Sequence, residues 1–316
     1  MRNLQILIIV GLVGAIAWVY KKPVSPIVQQ NPPVLIEKKK EVEVEKPLVI
    51  SNSNPSYLTY TQIVQQLKTW NNEAPNLTEV GVYGESTKLN KLYYIKLTNK
   101  NIKTNKPVVL IHGCIHGNEP LSTCCVMNYI GSMLNGYLKS TEVTELLNTR
   151  DIYFVPLLSP DSHPDSRFVD RVDPNRDFPG PTRPNHQSSK SVQAIQDLFT
   201  KIKPSAVISG HTFGRVYLYP YGYTYKKSAN DADYMKLLSK MSEMSGYRID
   251  RICNNYPTPI TGTEADWYYQ NGAISIVVEF GTHQKIPTKQ EIGYEYDKTW
   301  NAFLHFCKEA PLIKIK

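Results

Sequence analysis

Apolar positions in this chain fall into two rhythms. One recurs at helical spacing and predicts helices over residues 60–71, 119–137, 188–202, 231–245 and 290–309. The other is a set of short runs rich in β-branched residues, at 107–111, 152–157, 205–209 and 274–279, which predict strands. Strands that alternate with helices in this way form a sheet whose two faces must both be covered. The expected fold is therefore α/β, with a mixed, largely parallel central sheet flanked by helices on both faces.

Before residue 55 the pattern changes twice. Residues 3–19 carry no charge, follow Arg2 and end at Tyr20-Lys21-Lys22, an aromatic and basic border of the kind found at a membrane interface. Residues 1–22 thus read as an N-terminal membrane anchor or signal. No small-x-small cleavage site follows the apolar stretch, because Trp18, Tyr20 and the lysines occupy that place, and this favours an anchor over a cleaved signal. The expected location is membrane-anchored by a single N-terminal span, or secreted, with positive charge at both ends leaving the side of the membrane open. Residues 23–54 are rich in Pro, Lys and Glu and lack apolar periodicity, so they read as an extended linker. One domain then occupies 55–316, with no internal repeat.

Composition narrows the function classes without choosing one. Over 316 residues, 41% hydrophobic and 20% charged, the chain has an ordinary globular make-up. The net charge of +8 comes from Lys and Arg spread along the chain, and without a nucleic-acid motif it describes a mildly basic surface rather than an RNA or DNA partner. Cys114, Cys124, Cys125, Cys253 and Cys307 form no CxxC pair, so no disulfide framework is required. A monomer is the expected working unit.

Candidate chemistry gathers where the apolar runs stop. His112 to Glu119 follow Val108–Ile111, Ser159-Pro160-Asp161 follow Phe154–Leu158, His211 follows Ala206–Gly210, and Glu279 closes Ile274–Val278. In open α/β sheets, ligands collect beyond the carboxyl ends of strands, so four such ends point to one site. Singly, each residue has a structural explanation. His211 could be a hydrogen-bonded strand-end histidine, Glu279 a strand-edge acid, and Glu119 a carboxylate at the positive end of a helix dipole. With a histidine of the His112–Glu119 segment added, they can supply the two histidines and one carboxylate of a catalytic zinc site and leave a second acid over.

Four motifs resemble the zinc carboxypeptidase family, across about residues 58 to 309. His116-Gly117-Asn118-Glu119 is similar to that family's HxxE pair, and Asn175-Arg176 within Val172–Pro179 to its carboxylate-gripping pair. Ser209-Gly210-His211-Thr212-Phe213, followed by Tyr217–Gly222, resembles the strand of the third ligand; Gly262–Tyr269 leading into Val277-Val278-Glu279-Phe280 resembles the segment that ends in the catalytic acid. The resemblance implies one Zn2+ held by His116, Glu119 and His211, and Glu279 as general base. It also implies Arg167 as oxyanion partner, with Arg171 competing, and Asn175 and Arg176 on the substrate's terminal carboxylate. His112 then has a packing or supporting role, and Cys114 a packing one.

Two departures bear on the substrate. The usual Asn-Pro-Asp-Gly is Ser159-Pro160-Asp161-Ser162 here, and the substrate-capping Tyr of digestive members aligns near Thr258, with Tyr256 two residues away as its stand-in. Ala265 holds a position that tends to set side-chain preference, and an uncharged residue there disfavours strict selection of basic C-terminal residues. The implied activity is a metallocarboxypeptidase acting on a peptide or a peptidoglycan stem peptide. The alternatives are an aspartoacylase-like zinc deacylase and a catalytically silent binding protein on the same scaffold.

Overall fold

The computed structural model describes residues 57–181, 184 and 189–316. The expected anchor over 1–22 and linker over 23–54 lie outside these residues, as does the first residue of the helix expected from 188. Among the described residues no helix is long and apolar enough to cross a membrane.

Helix α1 (Tyr60–Glu73) starts at a reciprocal capping box between Thr59 and Gln62 and buries Ile63, Leu67 and Trp70. Strands β1 (Thr78–Glu85) and β2 (Lys91–Leu97) follow as a hairpin, then β3 (Val108–Gly113), α2 (Pro120–Gly136), α3 (Thr141–Thr149) and β4 (Asp151–Val155). After a long connection come α4 (Lys190–Ile202), β5 (Ala206–Thr212), β6 (Val216–Tyr219), α5 (Asp231–Ser245) and β7 (Arg248–Arg251). The chain closes with α6 (Glu264–Gln270), β8 (Ile274–Phe280) and α7 (Lys289–Glu309).

All eight strands join one sheet in the order β1-β2-β4-β3-β5-β8-β6-β7. The centre, β4-β3-β5-β8, is parallel, while β1 with β2, β2 with β4 and β6 with β8 are antiparallel. Side chains alternate between two cores, as the pleat requires. Val109, Ile111, Ile208 and Ile276 enter the core shared with α1, α2, α5 and α7; Leu110, Val155 and Val207 enter the core beneath α4 and α6. The expected mixed sheet with helices on both faces is what forms.

Four elements absent from the sequence reading are too exposed or too short to show an apolar pattern. Strand β1 lies on the sheet edge and leaves Val82 50% exposed, so it never becomes an apolar run. Strand β7 is the four residues Arg248–Arg251, none of them buried, and is held by its parallel pairing to β6. Helices α3 and α6 are only nine and seven residues long, too short for a 3.6-residue period to declare itself.

Parallel pairing sends the central strands' carboxyl ends to one edge. Register then does the fine placement: His112 pairs with Ser209, and His211 with Glu279.

Candidate metal centre and active site

Beyond β3 the chain makes a tight turn before α2. Gly117 sits so close to the neighbouring loop that a Cβ there would lie 2.3 Å from the Ser162 carbonyl carbon, which is why this position has no side chain. Glu119 occupies the N-cap of α2 yet makes no side-chain capping bond. Its carboxylate turns inward instead, and the helix-dipole explanation gives way to a different one.

His116, Glu119 and His211 present ligand atoms that all lie within 4.8 Å of one another, each residue buried. His116 Nδ1 is 2.8 Å from Glu119 Oε1, and His211 Nδ1 is 3.0 Å from Glu119 Oε2. Glu119 also accepts from the Thr212 backbone N–H at 3.2 Å and from Gln284 Nε2 at 3.3 Å. Burial pushes its carboxyl pKa up, but the two imidazoles win and hold it well below the ordinary range. Against the opposing effect of burial, Glu119, and after it Glu264, raise His211 well above its usual value. Two imidazoles and a carboxylate, desolvated and convergent, are the donor set of a catalytic zinc site, so these residues fit that metal.

Glu279 stands beside this cluster through its register with His211. Its Oε2 is buried without a hydrogen-bond partner among the described residues. Burial first, then the charge of Glu119, pushes its pKa up to about 7 against the pull of His211, His116 and Arg167. That value suits a group that must both take and give a proton near neutrality.

The structure separates the two competing arginines. Arg167 grips Asp173 Oδ2 through Nε at 3.0 Å and Nη2 at 2.9 Å, and brings Nη1 to 3.4 Å from His116 Nδ1 and 3.9 Å from Glu119 Oε1. Arg171 instead sits exposed beside Asp170, both with positive φ, at the tip of the turn closed by the Val169–Val172 bridge.

Asn175 and Arg176 lie in a short 3-10 turn, started by Asp173 accepting from the Asn175 N–H at 3.0 Å. Asn175 Oδ1 accepts from the Glu264 N–H at 3.0 Å, and its Nδ2 lies 3.5 Å from His211 Nε2. Arg176 donates to the Asn175 carbonyl at 2.6 Å and stacks its guanidinium 5.2 Å above the ring of Tyr256. Gly262, with φ +77°, lets the following loop rest on Arg176, where a Cβ would lie 2.4 Å from its carbonyl oxygen. Tyr256 and Ile260 pack in turn on an apolar cluster of Val216, Leu218, Ile252, Ala265 and Val277. Thr258, the position aligned with the capping Tyr, is exposed.

His112 lies at the back of the site, fully buried, with Nε2 3.2 Å from the Tyr268 hydroxyl; burial pushes its pKa down to about 4. Cys114 is buried too, its thiol facing the carbonyls of His116 and Gly117 and His163 Nδ1, and burial raises its pKa above any reactive range. Asp161 fastens the β1–β2 turn, accepting from Ser86, the Lys88 N–H and Asn90.

Three contacts of the site escaped the sequence reading. Asp173 Oδ1 holds His116 Nε2 at 3.0 Å, Glu264 Oε1 holds His211 Nε2 at 2.6 Å, and Gln284 reaches Glu119. Asp173 had one available signal, an acid two residues before Asn175 inside an already chosen motif. Glu264 lay inside a chosen motif with nothing to single it out, and Gln284 gave no signal.

The chain is similar to several known proteins. The mouse (Mus musculus) carboxypeptidase D is 25% identical over 281 residues, covering 77% of this chain and 20% of that protein. The zinc carboxypeptidase of Saccharothrix mutabilis subsp. capreolus is 24% identical over 284 residues, covering 72% of this chain and 63% of that protein. The chain thus spans a fifth of the one relative's length and under two thirds of the other's. The crystal structure of thrombin activatable fibrinolysis inhibitor superposes with a TM-score of 0.75 at 18% identity, covering 81% of this chain and 75% of that one, which establishes a shared fold. The sequence itself matches the zinc carboxypeptidase family over residues 63–302, a span that takes in every residue of the cluster and its surroundings, and the chain belongs to that family.

Proposed function

We propose that this chain is a zinc-dependent metallocarboxypeptidase that hydrolyses the peptide bond next to a substrate's free C-terminal carboxylate. One observation carries this above the rest: the unpartnered carboxylate oxygen of Glu279 stands beside the convergent His116, Glu119 and His211. Zinc held by those three would supply Lewis acidity, making water nucleophilic near neutral pH and polarising a carbonyl.

The chain's own residues do the rest. Glu279 takes the proton of the attacking water and delivers it to the leaving amine, as its pKa of about 7 permits. Arg167, fixed by Asp173, offers Nη1 to the developing oxyanion. Arg176 presents a planar fork to the terminal carboxylate, with Asn175 Nδ2 as a further donor. The Tyr256 ring beside Arg176, backed by the apolar cluster that holds Ala265, suits an uncharged, apolar C-terminal side chain. One chain carries the full set of groups, so a monomer suffices; residues 1–22 and 23–54 would anchor and tether it.

The test is Glu279→Gln, assayed for release of C-terminal Leu or Phe from peptides alongside zinc content. We expect one zinc per chain in both proteins and a rate lower by about 10²–10⁴-fold in the variant. Undiminished release would overturn the mechanism, and turnover of N-acyl amino acids in preference to peptides would make the chain a deacylase.

A further inference from the structure

The two histidines of the cluster are held from behind in the same way. Each turns Nδ1 toward Glu119 and Nε2 toward another carboxylate, His116 to Asp173 and His211 to Glu264. Glu264 is the more demanding case, since it has no solvent exposure at all. A buried carboxylate is strongly disfavoured unless paired, and three side chains face this one, while the residue's backbone is held by a fourth. Oε1 accepts from Ser209 Oγ and His211 Nε2, Oε2 lies 3.4 Å from His112 Nε2, and the backbone N–H donates to Asn175 Oδ1. His112 is itself braced by Tyr268. A helix-start acid serving only the dipole would stand in water, so desolvation on this scale needs another purpose.

We propose that Glu264 is a positioning residue for the zinc site, fixing His211 with its Nε2–H donated to the carboxylate and its Nδ1 lone pair turned to the metal. This rests on His211 being a zinc ligand. A carboxylate behind an imidazole also makes the ring a stronger donor, so Glu264 sets zinc affinity as well as geometry. Ser209, His112 and Tyr268 form the frame that keeps its charge in place.

Zinc affinity of the full chain, measured by competition with a chelator, tests this in wild type, E264Q, E264A and H116A. The absorption spectrum of the cobalt-substituted forms is the second readout. Glutamine keeps an oxygen for Ser209 and His211 and removes the charge, so E264Q decides the matter even where E264A fails to fold. We expect zinc to bind about 10–100-fold more weakly in E264Q, with altered cobalt bands. Folded E264Q with wild-type affinity and an unchanged cobalt spectrum would reduce Glu264 to a core acid. Wild-type affinity in H116A would instead overturn the metal site, and this proposal with it.

Discussion

The site has two halves that are built differently. His211 and Glu279 lie on adjacent parallel strands, and His116 and Glu119 just beyond a third, so the backbone ladder sets where their Cα atoms stand. Arg167, Asp173, Asn175 and Arg176 sit instead on the long connection between β4 and α4, with Tyr256 on the loop before α6. No ladder reaches them. They are placed by side chains that reach across to the first half: Asp173 onto His116, Asn175 onto the Glu264 backbone and toward His211. The strand-borne half is positioned by backbone pairing, and the loop-borne half is hung on it by side chains.

If that division is right, the halves can be damaged separately. The largest effect expected is from Arg176→Ala, which should raise KM for peptides with a free C-terminus by about 100-fold, the loss of a hydrogen-bonded charge pair, while zinc content stays at the wild-type level. Arg176→Lys should recover only part of this, because an ammonium lacks the planar fork. A fall in zinc content in either variant would show that the loop supports the metal half rather than hanging from it.

A second measurement probes the strand-borne half without activity. With Glu279 at about 7 in the folded chain and near 4.5 in the unfolded one, the folded state bears the cost of a buried charge above pH 7, and bears none below about pH 4.5, where both states are protonated. Metal-free Glu279→Gln should therefore melt several degrees above metal-free wild type at pH 8, with the gap shrinking as the pH falls and closing by about pH 4. A gap that stays the same from about pH 8 to about pH 4 would assign the difference to packing. The smallest effect belongs to Tyr256→Leu, which keeps apolar bulk but loses the stack on Arg176; about 0.5–1 kcal/mol corresponds to a KM two- to fivefold higher.

The same division explains what could be read in advance. The helices α1, α2, α4, α5 and α7 and the strands β3, β4, β5 and β8 announce themselves because each buries a long or continuous apolar surface. His116, Glu119, His211 and Glu279 stand at or just past the ends of those strands, but singly each has a structural explanation, and it is their combination and the family resemblance that mark them. Loop residues offered only motif resemblance, and Arg167 and Arg171, four positions apart, could not be ranked until the turn at Asp170 and Arg171 was seen to carry one outward. Asp173 and Glu264 stayed silent because their partners lie 57 and 53 residues away in the chain.

By itself, then, the sequence determined the central sheet, its long helices and the residue types at three strand ends, because apolar periodicity is a local property. Only the tertiary structure decided which arginine faces the cluster, that Glu119 turns inward instead of capping α2, and that each histidine of the cluster has a carboxylate behind it. Those facts depend on side chains brought together across long sequence separations. In a buried site it is such pairings that offset the cost of desolvating charge.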